Sequence, residues 1–296
     1  MKYHSYVHYL VLTLFLVTGC HNKPINPIED KKEELIPINI SMSGFTKATD
    51  SSFEIDDEVG IFIVNQDETP LKESGNHADN VAYTFNGSEW KSDKQLYWKN
   101  SSTKADFYCY YPRLTKITDI TRVPIKVKTD QSRLSGLKES VIIWGSNKEI
   151  SPTADPISIL VSHRTSKIII KLIPGNGYTK ESLANEDIKL YINSLKVNGY
   201  LDLSSGNVIA SGNPEDILPY AESDNYQAYV IPQTINNETL VSLKVGNYSF
   251  SLKQSIEFKS NTQHTVSLTV NKISEGINIG IIGWENDEND YGGTVN

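Results

Sequence analysis

The chain has 296 residues, with 28 basic and 36 acidic side chains and a formal net charge of −8 at pH 7. Sequence-independent nucleic-acid binding needs clustered Lys and Arg, so this balance predicts no nucleic-acid partner. The sequence contains only two cysteines, Cys20 and Cys109, which excludes a zinc site built from cysteines.

The N-terminal segment has the pattern of a secretory signal. Lys2 precedes an apolar run over residues 9–17, which is too short to cross a bilayer because a spanning helix needs about 20 apolar residues. The run ends in Val17-Thr18-Gly19-Cys20, which resembles the lipobox of bacterial lipoproteins. The resemblance implies a lipoprotein signal peptide over residues 1–19, acylation of Cys20 and anchoring of the mature chain to a membrane. The alternative is an ordinary signal peptide with an incidental cysteine.

Residues 20–34 are rich in Pro, Asn and charge, which predicts a flexible tether after the lipidated cysteine. The next segment alternates strictly between apolar and other residues, and this period predicts a half-buried first strand. Pro37 within it indicates a sheet edge or a strand start. Its apolar face carries Ile36, Ile38, Ile40 and Met42.

The rest of the chain is a series of short strand-like runs separated by Gly, Asn, Asp, Ser or Pro, which is typical of β-sandwiches. Residues 245–248, with Gly246 at the first central position, predict a type II′ hairpin turn. Only Thr179–Asn185 has a helical pattern. The predicted strands are Val59–Val64, Val81–Phe85, Gln95–Trp98, Asp106–Tyr111, Val141–Trp144, Ile157–Ser162, Ser166–Ile173, Ile188–Val197, Tyr226–Ile231, Thr239–Val245, Tyr248–Lys253, His264–Val270 and Ile277–Ile282.

A linker-like stretch with two prolines, Ser151–Pro156, lies near the middle of the chain. It predicts one β-sandwich domain over residues 35–155 and a second over residues 156–284. Residues 285–296 are acidic and Gly-rich, which predicts a solvated tail.

The sequence contains no recognisable catalytic or metal-binding motif. Three of the six histidines lie in the signal or tether, and the other three, His77, His163 and His264, are far apart. We therefore predict no catalytic residues, no metal site and no cofactor. Cys109, in an aromatic strand-like run, is predicted to be a small buried side chain.

Six segments in chain order are similar to the fimbrillin family of Bacteroidales, the Mfa-like subunits of type V pili. They comprise an acidic turn before a strand, an aromatic strand, a short polar motif, a His-containing strand and two C-terminal motifs. These segments are Phe53–Phe62, Trp98 with Asp106–Pro112, Asp130–Ser132, Val161–Ile168, Val230–Gln233 and Ile281–Trp284.

The resemblance implies two tandem transthyretin-like, Ig-like β-sandwich domains and assembly by strand exchange at the outer membrane. In such pilins an Arg-directed protease removes the first strand, and a neighbouring subunit donates a strand into the emptied groove. Ile36, Ile38, Ile40 and Met42 have the alternation expected of the removable strand. Ile277, Ile279 and Ile281 form a candidate C-terminal donor strand, or else an ordinary edge strand of their own domain.

Two departures from the family pattern bear on the role within a pilus. Lys47 stands where the family often has Arg, so an Arg-specific protease would cut there poorly. Little beyond Trp284 can form another strand, whereas stalk subunits tend to carry a second donor strand. An anchor, tip or accessory subunit is therefore as well supported as a stalk subunit.

The predicted function is a structural or adhesive pilus subunit. Its expected partners are other subunits, the outer membrane through the lipid anchor, and a ligand on a host or bacterial surface. The alternative is a glycan-binding surface lipoprotein in which aromatic side chains stack on sugars. A secreted hydrolase using His163 is a third, less supported reading. The aromatic candidates are Trp90, Tyr97, Trp98 and Tyr108.

Overall fold

The computed structural model describes residues 35–43, 53–222, 225–274 and 276–287, with side chains described as far as residue 280. It is nearly all β, with 58% of residues in strands and 4% in helices, so the predicted all-β fold is confirmed. Cys20, Lys47 and the end of the predicted tail, residues 288–296, lie outside the described residues. Within the described part of the chain, no helix has the length and apolar composition needed to cross a membrane.

The strands and helices follow one another in chain order with short connections. They are β1 (Pro37–Ile38), β2 (Ile40–Ser43), β3 (Glu58–Asn65), β4 (Ala78–Phe85), β5 (Trp90–Lys91), β6 (Leu96–Tyr97), β7 (Ala105–Tyr111), β8 (Val123–Lys126), α1 (Leu134–Lys138), β9 (Ile143–Ile150), β10 (Ile157–His163), β11 (Ser166–Pro174), α2 (Lys180–Ala184), β12 (Ile188–Leu201), β13 (Val208–Ile217), β14 (Tyr220–Glu222), β15 (Asn225–Val230), β16 (Gln233–Val245), β17 (Tyr248–Phe258), β18 (Gln263–Ile273) and β19 (Gly276–Asp287).

Local sequence signals account for most of these elements. α2 lies within the predicted stretch Thr179–Asn185 and begins at a capping box formed by Thr179 and Ser182. Gly246 has φ +58° and Asn247 does not have a positive φ, as a type II′ turn requires. The expectation of a single short helix is wrong, because α1 also forms although no side chain caps its start. Short strands β5, β8 and β14 and the longer β13 were also not predicted.

Three larger sheets and one strand pair make up the fold. The seven-stranded sheet has the order β2-β10-β9-β7-β3-β4-β5, and β1 pairs separately with β6. A five-stranded sheet has the order β14-β15-β11-β18-β19. The last sheet has the order β13-β12-β16-β17, with β8 also paired to β12.

The seven-stranded sheet is buried on both faces, because its residues alternate between two hydrophobic clusters. In β3, Phe62 and Val64 join a larger cluster built mostly from the two C-terminal sheets, whereas Ile61 and Ile63 join an N-terminal cluster. The buried members of this N-terminal cluster are Ile38, Ile40, Val59, Ile61, Ile63, Ala78, Tyr83, Leu96, Trp98, Ala105, Phe107, Cys109, Leu137, Val141, Ile143, Ile157, Ile159, Val161 and Tyr229.

The connection over residues 151–156 lies outside the strands, as a linker-like stretch should. However, β10, which follows it, pairs with β2 and β9, which precede it. Similarly, β8 pairs with β12 across the same point of the chain. The division into two sandwiches at residue 155 stays a prediction.

Candidate functional site: the first strand and its seat

The first strand occupies the edges of two sheets in succession. β1 runs antiparallel to β6, with Pro37 opposite Tyr97 and Ile38 opposite Leu96. After Asn39 the chain continues as β2, which runs parallel to β10 at the edge of the seven-stranded sheet. Pro37 lies at the beginning of an edge strand, where its missing N–H removes no bond from a sheet interior.

The four alternate residues of this strand all contact the N-terminal cluster. Ile38 is 2% exposed and Ile40 is 7% exposed, while Ile36 and Met42 are half-buried against the same cluster. Full burial of such a side chain contributes about 1.5–3 kcal/mol as an upper estimate. Ile38 and Ile40 together therefore stabilise this strand in its seat by roughly 3–6 kcal/mol.

Backbone and side-chain hydrogen bonds hold the strand at its middle. The Ile157 N–H donates to the Asn39 carbonyl at 2.8 Å, and the Trp98 N–H donates to the Ile36 carbonyl at 2.9 Å. The Asn39 amide donates to the carbonyl of Ala154 at 2.9 Å. We define the seat of the first strand as β6, β10 and the face of the N-terminal cluster that these two strands border.

Cys109 lies directly beneath the first strand. Its Sγ is 3.6 Å from Sδ of Met42, and the residue is 1% exposed. Burial raises the pKa of the Cys109 thiol, because the thiolate would lose its hydration. This agrees with the expectation of a small buried side chain and places a thiol where the first strand covers it.

The candidate donor strand is fully paired in this structure. β19 runs antiparallel to β18 from Ile273 opposite Gly276 to Gln263 opposite Asp287, at an edge of the five-stranded sheet. Ile277 and Ile279 are half-buried against the larger cluster, and Ile281 lies within the strand. β19 also extends to Asp287, into the segment predicted as an acidic tail. Donation by this strand stays a prediction.

Of the four aromatic candidates for sugar stacking, two are buried, Trp90 is half-buried and Tyr97 is 40% exposed. Trp98 is 2% exposed and donates its indole N–H to the Thr153 carbonyl at 2.9 Å, and Tyr108 is 6% exposed. Neither ring face is available for stacking on a sugar. Trp90 contacts Phe53 edge-on at 4.7 Å between ring centroids.

His163 is half-buried at the end of β10, and its ring stacks on that of Tyr229 with 5.6 Å between the ring centroids. Burial, and secondarily the charge of Lys167, lowers the pKa of His163 to about 4. In the described residues no group of His, Cys, Asp and Glu side chains could hold a metal ion.

Sequence reasoning found the first strand but not its seat. The alternation of Ile157, Ile159 and Val161 is visible in the sequence and indicates one buried face. It does not indicate that β10 pairs in parallel with a strand more than a hundred residues earlier. That pairing is non-local, and period-two patterns carry no information on the identity of the partner.

The fold is all-β with a first strand at sheet edges, and comparison with known proteins gives the family. The sequence profile described as fimbrillin-like matches residues 46–284. The Bacteroides uniformis protein named "Putative fimbrium subunit Fim1C" is 22% identical over 254 residues, which cover 81% of each chain.

Solved structures share the fold at low sequence identity. A "putative cell adhesion protein" of Bacteroides uniformis aligns with a TM-score of 0.65 and 15% identity, over 84% of this chain and 97% of that one. Another "putative cell adhesion protein", from Bacteroides ovatus, aligns with a TM-score of 0.66 and 14% identity, over 86% of this chain and 98% of that one. The chain belongs to the fimbrillin-like family, so the predicted resemblance is confirmed. Its family supports the role of a pilus or adhesion subunit at the cell surface.

Proposed function

We propose that this protein is a structural or adhesive subunit of a surface pilus and that its first strand, residues 36–43, is exchanged for a strand of a neighbouring subunit. The observation that carries the proposal is the position of this strand at sheet edges over the N-terminal cluster. An edge strand offers unpaired backbone groups to another chain, and alternate pockets select alternate side chains. The emptied seat would present β10 and the pockets of Ile38 and Ile40.

The geometry of the seat specifies the incoming strand. Because β2 runs parallel to β10, a replacement that reproduces its hydrogen bonds must also run parallel to β10. It must carry branched apolar residues at two successive alternate positions, since Ile38 and Ile40 are the most deeply buried. β19 of a second copy has the required alternation, but it would first have to leave β18.

Processing and anchoring complete the proposal. Cys20 carries the lipid that anchors the protein to the outer membrane, and Lys47 is the candidate position for cleavage between the first strand and β3. Because Lys replaces Arg there, an uncut anchor, tip or accessory role is favoured as much as a stalk role. We propose no enzymatic activity and no nucleic-acid partner.

Strand exchange can be tested with a peptide of residues 35–43. Protein lacking residues 1–20 is cut by limited trypsin treatment, with Lys47→Gln as the matched control, because Lys47 is the single basic residue between positions 43 and 53. Cut protein should capture a labelled peptide of the natural sequence. A peptide with Asn in place of both Ile38 and Ile40 should not be captured, because each Asn would bury an unpaired amide.

Equal capture of both peptides, or capture by the Lys47→Gln protein, would contradict exchange at this seat. In cells, deletion of the gene should change the number or length of surface pili seen by electron microscopy. Unchanged pili would contradict the role in assembly. An Arg-specific protease should cut between the first strand and β3 in a Lys47→Arg variant but not in the natural protein.

A further inference from the structure

An acidic cleft of about 330 Å³ opens between the loop before β3, α1 and the strand pair β14–β15. Glu54, Asp57 and Glu222 line it, against a single ammonium group, that of Lys138. The cleft therefore carries a net negative charge. Its floor is apolar and includes Leu137, which is 4% exposed. Apolar floors with a few polar groups are the usual form of small-ligand sites.

Some of the polar groups in the cleft already have partners. Lys138 is in ion-pair contact with Glu54. Asp57 accepts hydrogen bonds from the Tyr111 hydroxyl at 2.9 Å and from the Glu54 N–H at 2.7 Å. These contacts fix one wall of the cleft.

Other polar atoms lining the cleft have only a weak hydrogen-bond partner, or none, among the described residues. Gln227 is 6% exposed, and its carboxamide oxygen has no hydrogen-bond partner among the described residues. Its amide nitrogen reaches Glu222 only at 3.5 Å, and Glu222 has no ion pair in the described part of the chain. The hydroxyl of Tyr229, also 6% exposed, has no partner among those residues either. Gln227 and Tyr229 line the cleft, so their unpaired polar atoms are available to a ligand there.

We propose that this cleft binds a guanidinium or ammonium group carried on an apolar stem, such as a basic side chain or a small alkyl amine. The carboxylates that line the cleft give it an excess negative charge, and such cations are donors only. The apolar stem would lie over Leu137 and Leu134, whose side chain is 47% exposed at the rim.

Calorimetric titration of the full chain with Nα-acetylarginine amide tests the proposal. The neutral isostere Nα-acetylcitrulline amide and methyl glucoside are the comparison ligands. We expect the arginine compound to bind and both neutral ligands to fail, with affinity falling as salt rises. Glu222→Gln should weaken binding by about tenfold or more, because a charge-assisted hydrogen bond is lost. Glu238→Gln, an exposed carboxylate in β16, should leave it unchanged.

Agmatine as a further ligand distinguishes the two sources of the cation. Tighter binding of Nα-acetylarginine amide than of agmatine would indicate that the natural ligand is a basic side chain of a protein. Tighter binding of agmatine would indicate that it is a free amine. The proposal is overturned if no cation binds at millimolar concentration, if citrulline binds as well as arginine, or if Glu222→Gln binds like the natural protein. Circular dichroism of the Glu222→Gln and Glu238→Gln variants verifies that each is folded.

Discussion

At the scale of single residues, the first strand depends on two isoleucines whose side chains lie in the N-terminal cluster. Ile38→Ala should lower the free energy of unfolding by about 2–5 kcal/mol, because it removes buried methyl groups and leaves a cavity. Ser41→Ala, on the opposite face, is the matched control and should change it by about 0.5 kcal/mol or less. Denaturant unfolding measures both. Equal changes in the free energy of unfolding for the two variants would show that the Ile38 side chain is not buried as described.

His163 predicts a pH dependence of stability. Its pKa is about 4 in the folded protein, below the ordinary value of 6.5, so the unfolded chain binds the proton first as pH falls. The contribution of His163 to the free energy of unfolding is fully present above pH 6.5 and decreases as the pH falls from 6.5 to 4. The total loss is about 3 kcal/mol, at 1.36 kcal/mol per pKa unit.

Unfolding measured at several pH values across this window tests the prediction. His163→Gln should show a shallower decline than the natural protein, and His77→Gln should show the natural decline. The same slope in all three proteins would assign the pH dependence to other groups. Because the ring of His163 stacks on Tyr229, Gln is a better replacement than Ala, which would leave more of that contact unfilled.

At the scale of elements, the first strand covers a thiol that reports on its departure. In protein lacking residues 1–20, Cys109 is the single cysteine. Because Met42 and the strand cover it, Cys109 should react slowly with a maleimide. Replacement of both Ile38 and Ile40 by Asn should accelerate labelling at least tenfold, since a weakly seated strand opens more often.

Mass spectrometry of quenched samples gives the labelling rate. Ser41→Ala with Ser43→Ala, on the outer face of the same strand, is the control and should label slowly. Rapid labelling of the natural protein would mean that the strand does not protect the thiol. Adding the peptide of residues 35–43 to cleaved protein should restore protection if the seat is intact.

At the scale of the whole molecule, the two clusters share one sheet, so we expect their unfolding to be coupled. β3 contributes Ile61 and Ile63 to one cluster and Phe62 and Val64 to the other. Pairing of β10 with β2 and of β8 with β12 adds further links along the chain. Loss of either cluster would expose one face of the same seven-stranded sheet.

A single denaturation transition is therefore expected, rather than the two transitions of independent domains. Far-ultraviolet circular dichroism and tryptophan fluorescence should give the same midpoint. Ile159→Ala in the N-terminal cluster and Leu243→Ala in the larger cluster should each shift the whole curve. Two separate midpoints would instead support independent sandwiches divided near residue 155.

Much of this architecture was predictable from local patterns. The alternation from Ile36 to Met42 predicted the buried face of the first strand, and Pro37 predicted its edge position, because side-chain direction in a strand depends only on its own periodicity. The helix cap at Thr179 and the turn at Gly246 were likewise local. β13 was missed because its residues are mostly exposed and it forms by pairing with β12.

The amino-acid sequence alone determined the all-β class, the first strand and the family resemblance, since each depends on residue order over short stretches. Tertiary structure alone decided which strand the first strand pairs with, that Cys109 lies beneath Met42, and that Glu54 and Glu222 face one cleft. These relations join residues that are far apart in the chain. They depend on which edges and faces meet when the sheets pack, and short-range periodicity does not encode that choice.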